Sequence, residues 1–256
     1  MTDLFTADVH RVLWRPLVRA LGVSAIIVMG CVGVVIFFHT ARHPFHTVTD
    51  LRGALGGAAV PLALAGFILG ASVLGADFAS RAFTTLLIWE PRRQRVLAAQ
   101  AAACAVVTAV AAMAVLAVFA VALLPTAFAH GVGPSPTGTW YLSITALALR
   151  CALLAAAASV VGMSLAAIGG STAAALAGAG VYLLVIEQAA IAAAPSIGRW
   201  LLDVDALSWI AVTPRPTVPG GHTNGHTVVA AGLLLLTAVA ALHALATIVV
   251  KHRDIA

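Results

Sequence analysis

The chain has 256 residues, of which 62% are hydrophobic and 9% charged, with a formal net charge of +5. A soluble domain carries about 25% charged residues, so a mean hydropathy of +1.05 excludes a water-soluble globule. Six spans of roughly 20 residues take up about half of the chain and leave no stretch long enough for a separate soluble catalytic domain.

Of the 14 basic residues only Lys251 is a lysine, which rules out a Walker A phosphate loop, because G-x-x-x-x-G-K needs its lysine within the motif. The basic residues flank apolar runs, the pattern of topology anchors; nucleic acid is not an expected partner. Cys31, Cys104 and Cys151 each sit inside an apolar run with no C-x-x-C spacing, so they read as buried small apolar side chains.

The first residues are amphipathic. At 100° per residue Phe5, Val9, Val12 and Leu13 share one face and Asp8, Arg11 and Arg15 the other, which predicts an interfacial helix ending near Pro16. Spans follow at 17–38, 53–76 (bent at Pro61), 96–124, 142–168, 173–194 and 227–250, with a Gly/Pro-rich loop from Pro125 to about Thr139. From Cys151 to Ile186 there is no Asp, Glu, Lys, Arg or His, a stretch of about 54 Å as one helix and nearly twice the hydrocarbon thickness. It has to turn. Gly169-Gly170-Ser171-Thr172 supplies the flexible backbone and the N-cap for doing so.

With six spans and both termini cytoplasmic, Arg11, Arg15, Arg19, Arg81, Arg92, Arg93, Arg95, Lys251 and Arg253 lie inside, leaving five of the 14 basic residues outside, as the positive-inside rule asks. A five-span chain, in which 151–194 crosses once, gives the same balance. Six is preferred because a single crossing leaves too much apolar helix.

Between the second and third spans, Phe78, Ala82, Phe83, Leu86, Leu87 and Trp89 fill one half of a helical wheel, with Asp77, Ser80, Arg81, Thr84 and Thr85 on the other. That is a short amphipathic helix parallel to the membrane. Asp77 and Arg81 stand at i and i+4 in the favourable order, and Pro91 stops the helix ahead of Arg92 and Arg93. On physical grounds the segment either anchors two spans in register or offers a docking surface to a partner.

The run Leu74-Gly75-Ala76-Asp77, then Thr85-Leu86-Leu87, Pro91-Arg92-Arg93 and Val96-Leu97-Ala98-Ala99 resembles the cytoplasmic loop in the membrane subunits of type-two ATP-binding-cassette (ABC) exporters. The opening Asp8, Arg11 and Arg15 are similar to that family's elbow helix, and Arg253-Asp254-Ile255 to the ending of actinobacterial members. Arg81-Ala82 stands where the family usually has Gly-Thr, Asp77 where it has Glu, and Gln100 where it has Lys. The resemblance implies an all-α integral membrane protein. Its 1–256 form one permease domain of six transmembrane helices with an N-terminal elbow helix, a cytoplasmic coupling helix between spans two and three, and short external re-entrant or interfacial helices before span six. It also implies that Asp77, Phe78, Arg81, Thr84, Thr85, Leu86, Trp89, Glu90, Arg92 and Arg93 receive a separate ABC ATPase subunit, present in two copies. ATP and Mg would be bound by that partner, with no cofactor on this chain, and the permease would pair with itself or with a sister permease in the lipid bilayer of the plasma membrane.

Arg150 and Glu187 both fall in the outer third of neighbouring spans, and charges in a membrane are usually paired, so an Arg150–Glu187 contact is expected. Two apolar pieces, one with Trp200 and the other with Trp209, are too short to span and read as re-entrant or interfacial helices forming an external gate. His39, His43, His46, His222 and His226 cluster in outer loops. Zinc would accept two imidazoles at i and i+4, but no Cys or acid completes the set locally, and solvated histidines are the expectation, with no metal. His243, alone in span six, reads as hydrogen-bonded. Small residues at Gly162, Ala166, Gly178 and Gly180 suit close helix packing, within the chain rather than at a dimer seam.

The expected function is the permease of an ATP-driven exporter of amphipathic or hydrophobic substrates such as drugs, lipids or peptides. The alternatives are a non-transporting scaffold or sensor, and an integral membrane enzyme. The last lacks H-E-x-x-H and G-x-S-x-G in the sequence, which leaves no familiar nucleophile or metal pair.

Overall fold

A computed structural model of the protein describes residues 2–40, 45–80, 82, 92–132, 137–193, 200–210 and 227–252. The architecture is all-α. Six stretches are long and apolar enough to cross a membrane: Val18–His39, Asp50–Ala79, Arg93–Ala129, Gly138–Gly169, Thr172–Ala190 and Val228–His252. The chain is a multi-pass membrane protein.

Helix α1 (Thr2–Leu13) is followed at once by α2 (Pro16–Thr40). Pro16 opens α2 because its fixed φ suits the first helical position, where no N–H is needed. Next come α3 (Thr47–Gly57) and α4 (Ala59–Ala79), which together make the second span. Where a bend is expected at Pro61, the helix is interrupted at Ala58, because Pro61 cannot donate to the Gly57 carbonyl and its ring crowds that oxygen. Helix α5 (Arg93–His130) runs through Pro125, where the sequence predicts a loop. Leu123, two residues before that proline, is fully buried, and apolar packing of this kind offsets the one backbone bond lost at Pro125.

Helix α6 (Gly138–Gly169) ends as the sequence predicts. Gly170 adopts φ 74°, the left-handed region that favours glycine, and Ser171 caps α7 (Thr172–Val181) by accepting the Ala174 N–H at 3.1 Å. The fifth span continues through a π-helical segment, Tyr182–Ile186, into α8 (Glu187–Ala193). The short α9 (Leu202–Ile210) and α10 (Val228–His252) complete the described chain. The only extended pairing among the described residues is two residues long, β1 (Phe45–His46) parallel to β2 (Gly131–Val132). It ties the loop after α2 to the end of α5.

Two apolar clusters fill the bundle. One, at the end carrying both described termini, gathers Val12, Leu74, Leu97, Met163 and Val250; the other, toward the opposite end, gathers Leu55, Leu116, Leu123 and Leu147. Helices α4 and α6 interlock at the centre. A Cβ on Gly70 would strike the Ser159 carbonyl oxygen, and one on Gly162 the Phe67 carbonyl oxygen, so backbone meets backbone as small residues allow. Gly162 and the buried Ala166 therefore pack within the chain as expected. Gly178 and Gly180 do not: a Cβ on either meets open space. The first, fifth and sixth spans keep few residues buried.

Candidate functional site

The site is built around Asp77, in the last turn of α4 and 1% exposed. A carboxylate there faces the negative end of its own helix dipole and needs cations. Two arrive from the corner between α1 and α2. Arg11 Nη2 donates to Asp77 Oδ1 at 2.9 Å and Arg15 Nη2 to the same oxygen at 2.5 Å. Arg15 Nη1 also donates to the carbonyl oxygen of Val73 at 2.8 Å. From α5, Gln100 Nε2 donates to Asp77 Oδ2 at 3.1 Å. One carboxylate thus joins the elbow helix to the second and third spans, with charge-assisted bonds, the strong kind.

Asp8 completes the cluster from α1 and is itself buried. Burial pushes its carboxyl up to about 6; Asp77 adds to the rise, and Arg11 and Arg15 oppose it. The elbow helix forms where the sequence places it and buries Val12 of its apolar face as expected, but the buried side extends onto the polar face. Asp8 is buried and Arg11 and Arg15 reach inward, while Leu13 is 47% exposed. The wheel separates polar from apolar residues correctly and assigns the polar face to water, whereas a buried acid 62 residues further along claims it.

Of the expected coupling residues, Phe78 is half-buried against the terminal-end cluster. Arg92 stands at the position just before α5 and is exposed. Arg93 Nη1 donates to the carbonyl oxygen of Val250 at 3.0 Å, a cation at the last turn of α10, where the dipole favours it. Arg81, Thr84, Thr85, Leu86, Trp89 and Glu90 lie outside the described residues, and with them the expected Asp77–Arg81 pair.

At the other end, Glu187 and Arg150 are not an ion pair; the salt bridges among the described residues both fall on Asp77. Helix α9 is the reason. Glu187, 1% exposed, accepts the Leu202 N–H at 3.1 Å, a carboxylate at the N-terminus of α9 where the dipole favours it. Arg150 contributes its carbonyl oxygen to Trp209 Nε1 at 3.0 Å. The Trp209 ring lies against Gly232 of α10, leaving no room for a Cβ. The π segment turns Glu187 inward: its N–H bonds back to Tyr182, and the extra residue advances the register by about 100°. The two expected gate residues differ, Trp209 anchoring α9 while Trp200 is exposed.

Beneath α9 lies a cleft of about 610 Å³ between α6, the fifth span and α10, lined by residues such as Val161, Leu165, Ile186 and Leu242 and roofed by Leu202. Its size suits a drug-sized ligand. His243 faces Ser164, with Nδ1 3.3 Å from Oγ, the hydrogen-bonded histidine the sequence suggests. His43, His222 and His226 lie outside the described residues.

No known protein family matches the chain, and no curated protein is similar to it in sequence.

Proposed function

We propose that this chain is the membrane-spanning permease subunit of an ATP-driven exporter, coupled to a separate ATPase. The observation that carries the reading is Asp77. It closes the span that leads into the segment resembling a coupling helix, and its carboxylate binds the elbow helix and the third span together. A displacement delivered to residues 81–91 then acts on three helices as one body rather than on a loop. Motion of this kind, rigid elements shifting about an interface, is how a partner's nucleotide cycle reaches a distant path.

In this reading both termini and the Asp77 cluster face the cytoplasm of the cell that carries the protein in its plasma membrane. Two ATPase subunits bind ATP and Mg, and two permease chains, identical or sister, flank the path. This chain hydrolyses nothing itself. The substrate is hydrophobic or amphipathic, in keeping with the apolar cleft under α9.

The test is to co-express the chain with ABC ATPase subunits, first any encoded by a neighbouring reading frame, and reconstitute the complex into vesicles loaded with a lipophilic dye. ATP-dependent dye movement that D77N lowers while ATP hydrolysis continues supports the reading. Stable ATPase binding without movement of any lipophilic substrate would make the chain a scaffold, and failure of any ATPase to associate would overturn the proposal.

A further inference from the structure

The inner side of the corner between α1 and α2 is taken up by Asp77; its outer side is built differently. Trp14 is 68% exposed, and the Arg19 guanidinium lies over its ring, 5.6 Å from the centroid. Arg19 Nη2 donates to the Trp14 carbonyl oxygen at 3.3 Å. Leu13 is exposed beside the tryptophan, and His10, whose carbonyl oxygen accepts the Trp14 N–H at 3.0 Å, is exposed one turn earlier.

Depth decides what such a surface meets. The first span begins at Val18 and α2 at Pro16, so Trp14, in the turn just before α2, stands at the entry to the span, the level of lipid head groups. Arg19, already inside the span, does not point along it. Its guanidinium turns back to Trp14, the way a long basic side chain reaches for the interface. Tryptophan is at home at that level. The guanidinium is thus held beside the ring and by one backbone bond, with its remaining N–H groups available at phosphate depth. A planar guanidinium matches phosphate oxygens in geometry and charge.

Charge complementarity selects the lipid. The first turn of α2 carries no acid, and the carboxylates near the corner, Asp8 and Asp77, are buried. Among the described residues the ammonium of a zwitterionic head group finds no exposed carboxylate here, whereas the phosphate of an anionic head group finds Arg19. We propose that the corner formed by His10, Leu13, Trp14 and Arg19 is a binding site for an anionic phospholipid of the leaflet in which α1 lies. The phosphate sits on Arg19, and the first chain carbons lie on Trp14 and Leu13. The inference is independent of the transport reading.

Native mass spectrometry of the full chain, released from mixed micelles of phosphatidylglycerol and phosphatidylcholine in equal amounts, tests it. The wild type retains phosphatidylglycerol over phosphatidylcholine. R19Q lowers that retention about fivefold, the factor one basic residue contributes at an anionic surface, W14A lowers it similarly, and R19K falls between. R95Q, which removes an exposed arginine from the first turn of α5, leaves retention unchanged. Equal retention by wild type and R19Q overturns the site. So does an equal loss in R19Q and R95Q, which would mean diffuse surface charge, or displacement of the lipid by millimolar inorganic phosphate. If R19Q does not fold, the R19K and W14A comparisons with R95Q decide the matter alone.

Discussion

Arg15 grips α4 at two places, Asp77 and, one turn earlier, the carbonyl oxygen of Val73. Arg11 reaches only the first of these. The side chains also differ in exposure, 19% for Arg15 and 33% for Arg11, so water screens the Arg11 contact more.

The two arginines should therefore be unequal on mutation. R15Q costs about 2 kcal/mol, as expected for hydrogen bonds from a charged donor, and R11Q about 1 kcal/mol or less, in the range of a partly exposed ion pair. D77A, which strands both guanidiniums, costs about 3 kcal/mol. Thermal unfolding of the purified variants in one detergent checks the order. Equal losses for R15Q and R11Q would show that the second anchor at Val73 contributes nothing.

Asp8 gives the cluster a pH dependence whose sign follows from its carboxyl being raised from 3.8 to about 6, first by burial and then by Asp77. The folded state holds this proton more tightly than the unfolded chain does. Its contribution is fully present below pH 3.8 and is lost as pH rises through about 6. D8N should match the wild type at the acid end of that window and exceed it in thermal stability at pH 7 to 8. A stability difference between the two that does not change with pH would exclude Asp8 as the titrating group.

Glycine substitutions separate packing from open surface. G70A and G162A each drive a methyl group into a backbone carbonyl, of Ser159 and Phe67 respectively, and the central α4–α6 contact cannot yield without moving both helices. Each should cost about 1–3 kcal/mol, as overpacking does, with lower yield of folded protein. G178A meets open space and should be neutral or stabilise the helix by up to about 1 kcal/mol. Comparable destabilisation by G178A and G70A would place the fifth span against a neighbour that the isolated chain lacks.

What the sequence made legible was local. The six spans follow from uninterrupted apolar runs, and the turn between the fourth and fifth from Gly170 and Ser171, whose chemistry allows little else there. The break before Pro61 was legible too, though its position was not, because proline disrupts the turn that precedes it. The Asp77 cluster was half visible. Asp8, Arg11, Arg15 and Asp77 each stood out, but their meeting depends on α1 lying across the start of α5, and no periodicity records that. The expectation for Arg150 and Glu187 failed for a related reason. Pairing charges by depth assumes nothing lies between two spans, and α9 brings backbone N–H and indole N–H groups to the same level.

That geometry makes a firm prediction about the end of the bundle that carries α9. Glu187 supplies an acceptor oxygen for the Leu202 N–H. E187Q retains one and should lose little stability, whereas E187A leaves the first turn of α9 without its partner and should cost about 1.5–3 kcal/mol, the range of hydrogen bonds to charged groups. Arg150 serves α9 through its carbonyl oxygen, which no side-chain substitution removes. Exchanging the charges in R150E/E187R should therefore fail to rescue E187R. Thermal unfolding of the three Glu187 variants and the double exchange, measured under one condition, decides it: recovery to the wild-type midpoint in R150E/E187R would restore the direct ion pair and remove Leu202 as the partner that matters.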